Sequence, residues 1–544
     1  MRTWVTTAFL LGAAALAGVC FFWPGGVAVV ESLATSDWRE AAIGPRRAAL
    51  LARGIGVAFG AACLAQVLGA ALAGGFAVRG RRWVRGVVAW IGLVVLLTPP
   101  YLYAYAWSLP LLPEGIAVGA KGASLWPVWV TSLGRAVWCL GTWSAPLAAG
   151  VVYAGWRASG RHAYRMALLD ASPARAAWGA AGSVMLPWLA VSFLIVFALA
   201  MTEYSVCHLC LVPTWNTELL AEAQDLDSPG RALRLAWPLL ALTALVAAGL
   251  FPFRRMLDEF LHDLAELHEF GRDGGDSVPA GVGVGGVGRV AMLVGAVLLL
   301  PWIVLAMYLR DLAAFASMWR TYLYEWPDGL LCAAGSVVVS AWLATAVDYV
   351  LAAPHRAGWA ALRLFARLIV AAAVFAAIAP PALVGDAFIA AYVRLPLIYD
   401  HWPIVSLVTA ARFAVVAIVG LRLAGRVADA NLSPLAAVDG ASWAAAYFRV
   451  RLPNCASALG FALLVVGLLS LTEVAASFMV QPAGLDHLAL TLLNQIHFGR
   501  NSEIIAMSLL LMAFVGIVVL AGLSVLRRAA GPLAAQPPAV GPGE

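Results

Sequence analysis

Few residues of this chain can do chemistry, and most of them are single charges set among apolar neighbours. Glu203 and Glu473 each follow a Thr, as Thr202-Glu203 and Thr472-Glu473, toward the end of a long apolar stretch. Ionisable groups in such stretches face a bundle interior or a water-filled cavity. Two carboxylates on one pathway would lower the potential there and favour a passing cation. The competing reading is that each Glu caps or orients its own helix. Arg135 and Arg412 are also matched in position and could pair with these acids. Cys207-His208-Leu209-Cys210 has a spacing used at tetrahedral metal sites, but no second ligand cluster stands in register with it. Packed helix residues explain it better. His262 and His268, with Asp263, Glu266 and Glu269, read as a solvated helix rather than a metal site. No nucleophile, base and orienting group stand together, so no catalysis, metal or cofactor is expected within the chain. A phosphate-binding loop needs Gly-Lys followed by Ser or Thr. The one Lys, Lys121, lies between Ala120 and Gly122.

The elements that must position these residues are membrane helices. Of 544 residues, 63% are apolar and 12% charged, against roughly 25% charged in soluble domains. Stretches 3–30, 54–78, 86–113, 176–202, 235–253, 290–309 and 504–526 contain no Asp, Glu, Lys or Arg. A helix needs about 20 apolar residues to cross about 30 Å of hydrocarbon. Twelve spans are predicted, at 5–30, 50–78, 87–109, 126–156, 184–208, 234–253, 290–309, 327–351, 368–390, 402–424, 455–480 and 503–526. The tenth is the weakest because Arg412 interrupts it. The first continues through Phe21-Phe22-Trp23 with no small-residue cleavage site, so an uncleaved helix is expected rather than a signal peptide. Seven scattered Cys imply no disulfide framework.

The net charge of +6 comes from 34 Arg in short clusters between apolar stretches. That pattern is membrane topology, not a nucleic-acid patch. Arg79/Arg81/Arg82/Arg85, Arg157/Arg161/Arg165/Arg175, Arg254/Arg255, Arg356/Arg363/Arg367, Arg422/Arg426/Arg449/Arg451 and Arg527/Arg528 mark one set of loops as cytoplasmic, with both termini inside. Arg46, Arg47 and Arg53 fall on the other side. Asp348 and Asp386 have no partner legible in the sequence and are expected at interfaces.

The chain also repeats. Thr98-Pro99-Pro100 corresponds to Ala379-Pro380-Pro381, and Trp126-Pro127 before Arg135 to Trp402-Pro403 before Arg412. Ala171-Ser172 corresponds to Ala441-Ser442, and Thr202-Glu203 to Thr472-Glu473, both at an offset of 270 residues. The expected fold is an all-α polytopic membrane protein of two parallel six-helix repeats with a pathway between them. Residues 1–253 form the first repeat, 254–288 a cytoplasmic linker that is Gly-rich from 273, 289–528 the second repeat and 529–544 a cytoplasmic tail.

The loop at 434–453 carries small residues Ala436, Ala437, Gly440, Ala441 and Ala444 to Ala446, then Leu452-Pro453. Small residues let a short helix approach a partner closely, and Pro453 should stop that helix before the next span. This loop resembles the cytoplasmic EAA loop of binding-protein-dependent ATP-binding-cassette (ABC) importer permeases, Glu-Ala-Ala-x-x-x-Gly with Pro thirteen residues after the Gly. Gly440 and Pro453 match that spacing, and Pro434 stands where the family has Glu. The first-half loop around Asp170, Ala171 and Ser172 is similar, with Asp170 in place of the Gly and Leu186-Pro187 four residues later than the family spacing. Either this loop is longer by a helical turn or Gly182-Ser183 replaces the Leu-Pro.

The two-in-one layout, and residues 491–509 before the last helix, look like the ferric-iron and thiamine permeases. The resemblance implies a type I importer permease of the bacterial inner membrane. It implies two copies of a separate ATPase, which binds the ATP and seats on both loops, and a periplasmic solute-binding protein that sets selectivity. Ferric iron is the first solute expected, thiamine the second, a phosphonate or polyamine the third. A secondary transporter, coupled to ions through acids deep in the spans, and a membrane-embedded enzyme are the alternatives.

Overall fold

The structure is a computed structural model that describes residues 3–34, 42–77, 82–111, 127–172, 175–176, 179, 182–223, 231–253, 256, 284–354, 358–428, 435–436, 438–498 and 502–534. Helices make up the fold, and no strand occurs among the described residues. Ten helices are long and apolar enough to cross a membrane, and two sharply bent pairs bring the number to twelve. The chain is a multi-pass membrane protein whose exposed apolar helix faces meet lipid.

In the first half the helices are α1 (Trp4–Ala34), α2 (Pro45–Ala77), α3 (Arg82–Leu97), α4 (Pro100–Ser108), α5 (Val130–Ala167), α6 (Gly182–Thr202), α7 (Ser205–Leu209), α8 (Trp215–Ala223) and α9 (Arg231–Leu250). The second half has α10 (Gly288–Tyr308), α11 (Ala313–Thr321), α12 (Glu325–Leu351), α13 (Ala360–Ile378), α14 (Pro381–Tyr392) and α15 (Pro403–Ala428). It ends with α16 (Trp443–Asn454), α17 (Ala456–Thr472), α18 (Ala475–Val480), α19 (Leu488–Phe498) and α20 (Ser502–Ala534).

The core packs α2, α5 and α6 together, and likewise α12, α15 and α17. Helix α1 crosses to pack on α12 and α14, while α10 packs on α2 and α4. Small residues permit the closest approaches. A Cβ at Gly69 in α2 would lie 2.9 Å from the Ala145 carbonyl oxygen of α5. No bulkier residue fits there without parting the two helices.

Four expected spans are broken where the sequence carries backbone-breaking or capping residues. The third turns through 87° between α3 and α4 at Thr98-Pro99. The ninth starts earlier than predicted, at Ala360, and stops at Ile378 before Pro380-Pro381. Pro99 and Pro380 take the same extended conformation, at φ −56°, ψ 133° and φ −52°, ψ 130°. Proline has no N–H and cannot continue the ladder. The fifth and eleventh spans end at Thr202 and Thr472, so Glu203 and Glu473 sit in the breaks rather than within helices. The tenth span is a continuous helix through Arg412.

At the linker, residues 254–255 and 257–283 lie outside the described residues, but Val284–Leu298 is helical. The last glycines of the Gly-rich stretch therefore lie in a helix. Likewise α20 runs to Ala534 and takes in the start of the expected tail. His262, His268 and Lys121 lie outside the described residues.

Candidate functional site

The first group of candidate residues lies at the two Thr-Glu breaks. After Thr472 the chain leaves the helix, and Glu473 folds back to receive the free N–H groups that open α18. Its Oε1 accepts from Ala476 N (2.9 Å), and its Oε2 accepts from Ser477 N (2.7 Å) and Ser477 Oγ (2.7 Å). Arg412 Nη1 completes the set by donating to Oε1 at 2.5 Å. Helix N-termini leave N–H groups without intrahelical partners, and here one buried carboxylate takes two of them together with a guanidinium. This charge is saturated.

Glu203 begins the same way and ends differently. Its Oε1 accepts from Ser205 N (2.9 Å) and from Ser205 Oγ. The matched cation does not reach it. Arg135 Nε instead points to Cys210 Sγ (3.2 Å), and Nη2 donates to the Leu209 carbonyl (2.9 Å). The pairing expected of Arg412 with Glu473 is present, and that of Arg135 with Glu203 is absent. Arg135 is drawn to the end of α7, where Leu211 takes a left-handed φ of 57° and Cys210 turns toward the guanidinium. Arg412 is close enough to act on Glu203 electrostatically, so both breaks gather around one cation. Among the described residues, no three His, Cys, Asp or Glu side chains group as a metal site would need.

The second group lies on the connecting segments. At 435–442 the backbone forms a helix stop. Ala441 N–H donates to Ala436 O (3.0 Å) across Gly440, whose φ is 76°. That six-to-one bond with a left-handed glycine is a Schellman cap. Ser442 then opens α16, with its Oγ accepting from Ala445 N at 3.3 Å. Ala437 lies outside the described residues. Pro453 does not end the short helix alone. A π-turn at Tyr447–Arg451 precedes it, and α16 breaks one residue beyond it to meet α17 at 68°.

In the first half, Ala171 N–H donates to Ala167 O (2.9 Å), and Ser172 O accepts from Ala176 N (2.9 Å). Asp170 has no left-handed φ, consistent with a side chain where the other loop has Gly. Pro187 lies inside α6, and that helix already starts at Gly182. Gly182-Ser183 lie in the first described turn of that helix, five to four residues before Pro187.

Both segments expose apolar side chains just before the matched Asp170 and Gly440, one residue out of step with each other at the 270-residue offset. Met166 is 55% and Leu169 76% exposed, and Leu435 59% and Val438 83%. Each pair is separated by three residues, so its members share one helical face. Part of α5 must extend past the hydrocarbon. Helix α5 has 38 residues, about 57 Å at 1.5 Å per residue, far more than about 30 Å of hydrocarbon.

Sequence reasoning missed what fastens the second segment. Asp348, read as unpartnered, is fully buried and holds two arginines. Arg451 clasps it with Nε to Oδ2 (2.9 Å) and Nη2 to Oδ1 (3.1 Å), and Arg422 reaches Oδ1 at 3.3 Å. Arg451 Nη1 also donates to Gly425 O (3.0 Å). Beside this clasp, Tyr349 packs against Trp359, Trp443, Tyr447 and Phe448. Helix α16 is thereby joined to α12 and α15. The available signal was a lone acid near a span end, opposite a run with Arg449 and Arg451.

Arg46, in the Arg cluster that departs from the charge bias, is paired, donating from Nη1 and Nη2 to the two oxygens of Glu218 at 2.7 Å each. No protein-family model matches the chain, and no curated protein or solved structure matches it.

Proposed function

We propose that the chain is the membrane permease of an ATP-driven importer, two fused six-helix repeats that carry a small solute across the bacterial inner membrane. The observation that carries this reading is the pair of corresponding segments with uncovered apolar faces, Met166/Leu169 and Leu435/Val438. Apolar side chains held outside the bilayer call for a protein partner. Two of them, on the two halves, suit a pair of identical ATPase subunits. The equivalent packing of α2–α5–α6 and α12–α15–α17, with α1 and α10 exchanged between halves, supports the repeat.

In this reading Asp170, Ala171, Ser172, Ala436, Ala437, Gly440, Ala441 and Pro453 shape the docking segments. ATP stays in the partner, and a periplasmic binding protein delivers the solute. Ferric iron is the first solute to test, then thiamine, then a phosphonate or polyamine.

The test co-expresses the chain with an ABC ATPase and a solute-binding protein from the same genome. Leu169→Asp and Val438→Asp should each abolish uptake and reduce ATPase co-purification, with the amount of membrane-inserted chain unchanged. Uptake that persists without ATP would overturn the proposal in favour of ion-coupled transport. ATPase retention at wild-type yield in the Leu169→Asp/Val438→Asp double variant would overturn the docking assignment.

A further inference from the structure

The break after α6 contains a carboxylate, Glu203, with no ion-pair partner among the described residues. A cavity of about 10 Å³ is lined by Glu203, Thr214, Asn216, Gly54, Met201 and Cys207, among others. That is room for one water-sized ligand. Thr214 and Asn216 are 3% and 6% exposed, and both line the cavity. Thr214 Oγ1 and Asn216 Oδ1 are buried with no hydrogen-bond partner. The amide orientation is fixed, because Asn216 Nδ2 donates to the Met201 carbonyl. Turning the amide over would set two carbonyl oxygens against each other, so Oδ1 is the free atom.

The third oxygen group is the Glu203 carboxylate, whose hydrogen bonds come from Ser205 and the Val206 backbone. The corresponding Glu473 has a guanidinium, and the first half spends Arg135 on Cys210 and Leu209. A partly buried carboxylate with no described cation at ion-pairing distance, acted on by Arg412 only from farther away, is costly. The surroundings therefore supply one negative charge and two oxygen acceptors around a space one ligand wide.

We infer that Glu203, Thr214 and Asn216 hold a small monovalent cation of the sodium class. Carboxylate, amide and hydroxyl oxygens are hard ligands suited to hard cations. One carboxylate balances a single charge, whereas a calcium-type ion takes six to eight oxygens, usually with several carboxylates. The bound ion plays for Glu203 the part that Arg412 plays for Glu473. The inference stands on the cavity and does not depend on the transport reading.

Purified full-length chain is unfolded thermally in NaCl, KCl and choline chloride at constant ionic strength, followed by tryptophan fluorescence. Binding of one ion to the folded chain should give a saturable rise in midpoint with Na⁺. The rise should be smaller with K⁺ and absent with choline. Equilibrium ²²Na⁺ binding should approach one ion per chain. Glu203→Gln should abolish both effects. Thr214→Val should raise the half-saturating Na⁺ concentration at least tenfold.

Gly54→Ala provides a second, structurally mild test. A Cβ there would lie 3.8 Å from both Thr214 Cβ and Met201 Cε, an ordinary contact that narrows the cavity without strain. It should keep the choline midpoint and lose the Na⁺ shift. Equal wild-type midpoints in Na⁺ and choline, or an undiminished Na⁺ shift in Glu203→Gln, would overturn the inference and leave the cavity to a water molecule.

Discussion

Removing the carboxylate of Asp348 should be among the most damaging single changes in the second half. The side chain is fully buried, and Arg451 beside it is 5% exposed. In Asp348→Asn the Arg451 guanidinium keeps its bond to Gly425 O but loses its two charge-assisted bonds to the Asp348 carboxylate. Breaking a buried pair by removing one member costs about 3–5 kcal/mol. At about 1.4 kcal/mol per factor of ten, that is a hundredfold to several-thousandfold shift in the folding equilibrium. Arg422 adds less, since its single bond is 3.3 Å long and its side chain is 25% exposed. The assay is equilibrium unfolding by SDS in mixed micelles, run as a double-mutant cycle. Asp348→Leu with Arg451→Met should recover stability relative to either Asp348→Leu or Arg451→Met, because the two most buried charges then leave together and only the partly exposed Arg422 remains. Gly425 supplies an internal control. A Cβ there would fall 2.0 Å from Arg451 Nη2. Gly425→Ala should therefore destabilise the wild type and be nearly neutral in Arg451→Met. A loss under about 1 kcal/mol in Asp348→Asn, the range of an exposed pair, would refute the reasoning. Strict additivity in the cycle would refute it equally.

Two further changes test the local geometry. Gly440→Ala should cost about 1–2 kcal/mol, the price of left-handed backbone for an L-residue. Gly440→Asn should cost less, because Asn tolerates that region. No heavy atom lies within 4 Å of a Cβ there, so equal SDS midpoints for the Ala, Asn and wild-type chains would exclude the conformational argument. Glu473→Gln should sharply lower the yield of monodisperse protein, since its carboxylate serves three hydrogen-bond donors and a guanidinium. Glu203→Gln should leave that yield near normal. Equal yields for the two variants would show that the breaks bear the same load.

The spans were legible because membrane helices are written in the chain itself, as long stretches without charge. Their breaks were visible as residues but not as geometry. Pro99-Pro100, Pro380-Pro381 and the two Thr-Glu pairs were all recognised, yet the length of each apolar stretch favoured one continuous helix. The 87° turn at Thr98-Pro99 depends on what α4 packs against, namely α7 and α10. That information is long-range. The clasp on Asp348 was hidden for the same reason, since its partner Arg451 lies 103 residues away. Periodicity identifies which residues share a face of one helix and says nothing about which face of another helix they meet.

Glu203 and Glu473 show where a repeat in sequence stops being a repeat in chemistry. Both follow Thr at a constant offset, which suggested equal roles. The residues just beyond them differ. Ser477 gives Glu473 a hydroxyl donor and a backbone donor on one oxygen, while its counterpart at the same offset is Cys207, a weak donor. Ser205 compensates for Glu203 from a different position and engages only Oε1. Cys210, three residues past Cys207, takes the Arg135 side chain that would have matched Arg412. The Cys-x-x-Cys residues therefore leave Glu203 without the guanidinium that Glu473 has. If solute passes between the halves, it meets a neutralised acid on one side and an ion-holding acid on the other, so the pathway is electrostatically asymmetric despite the symmetric dipeptides.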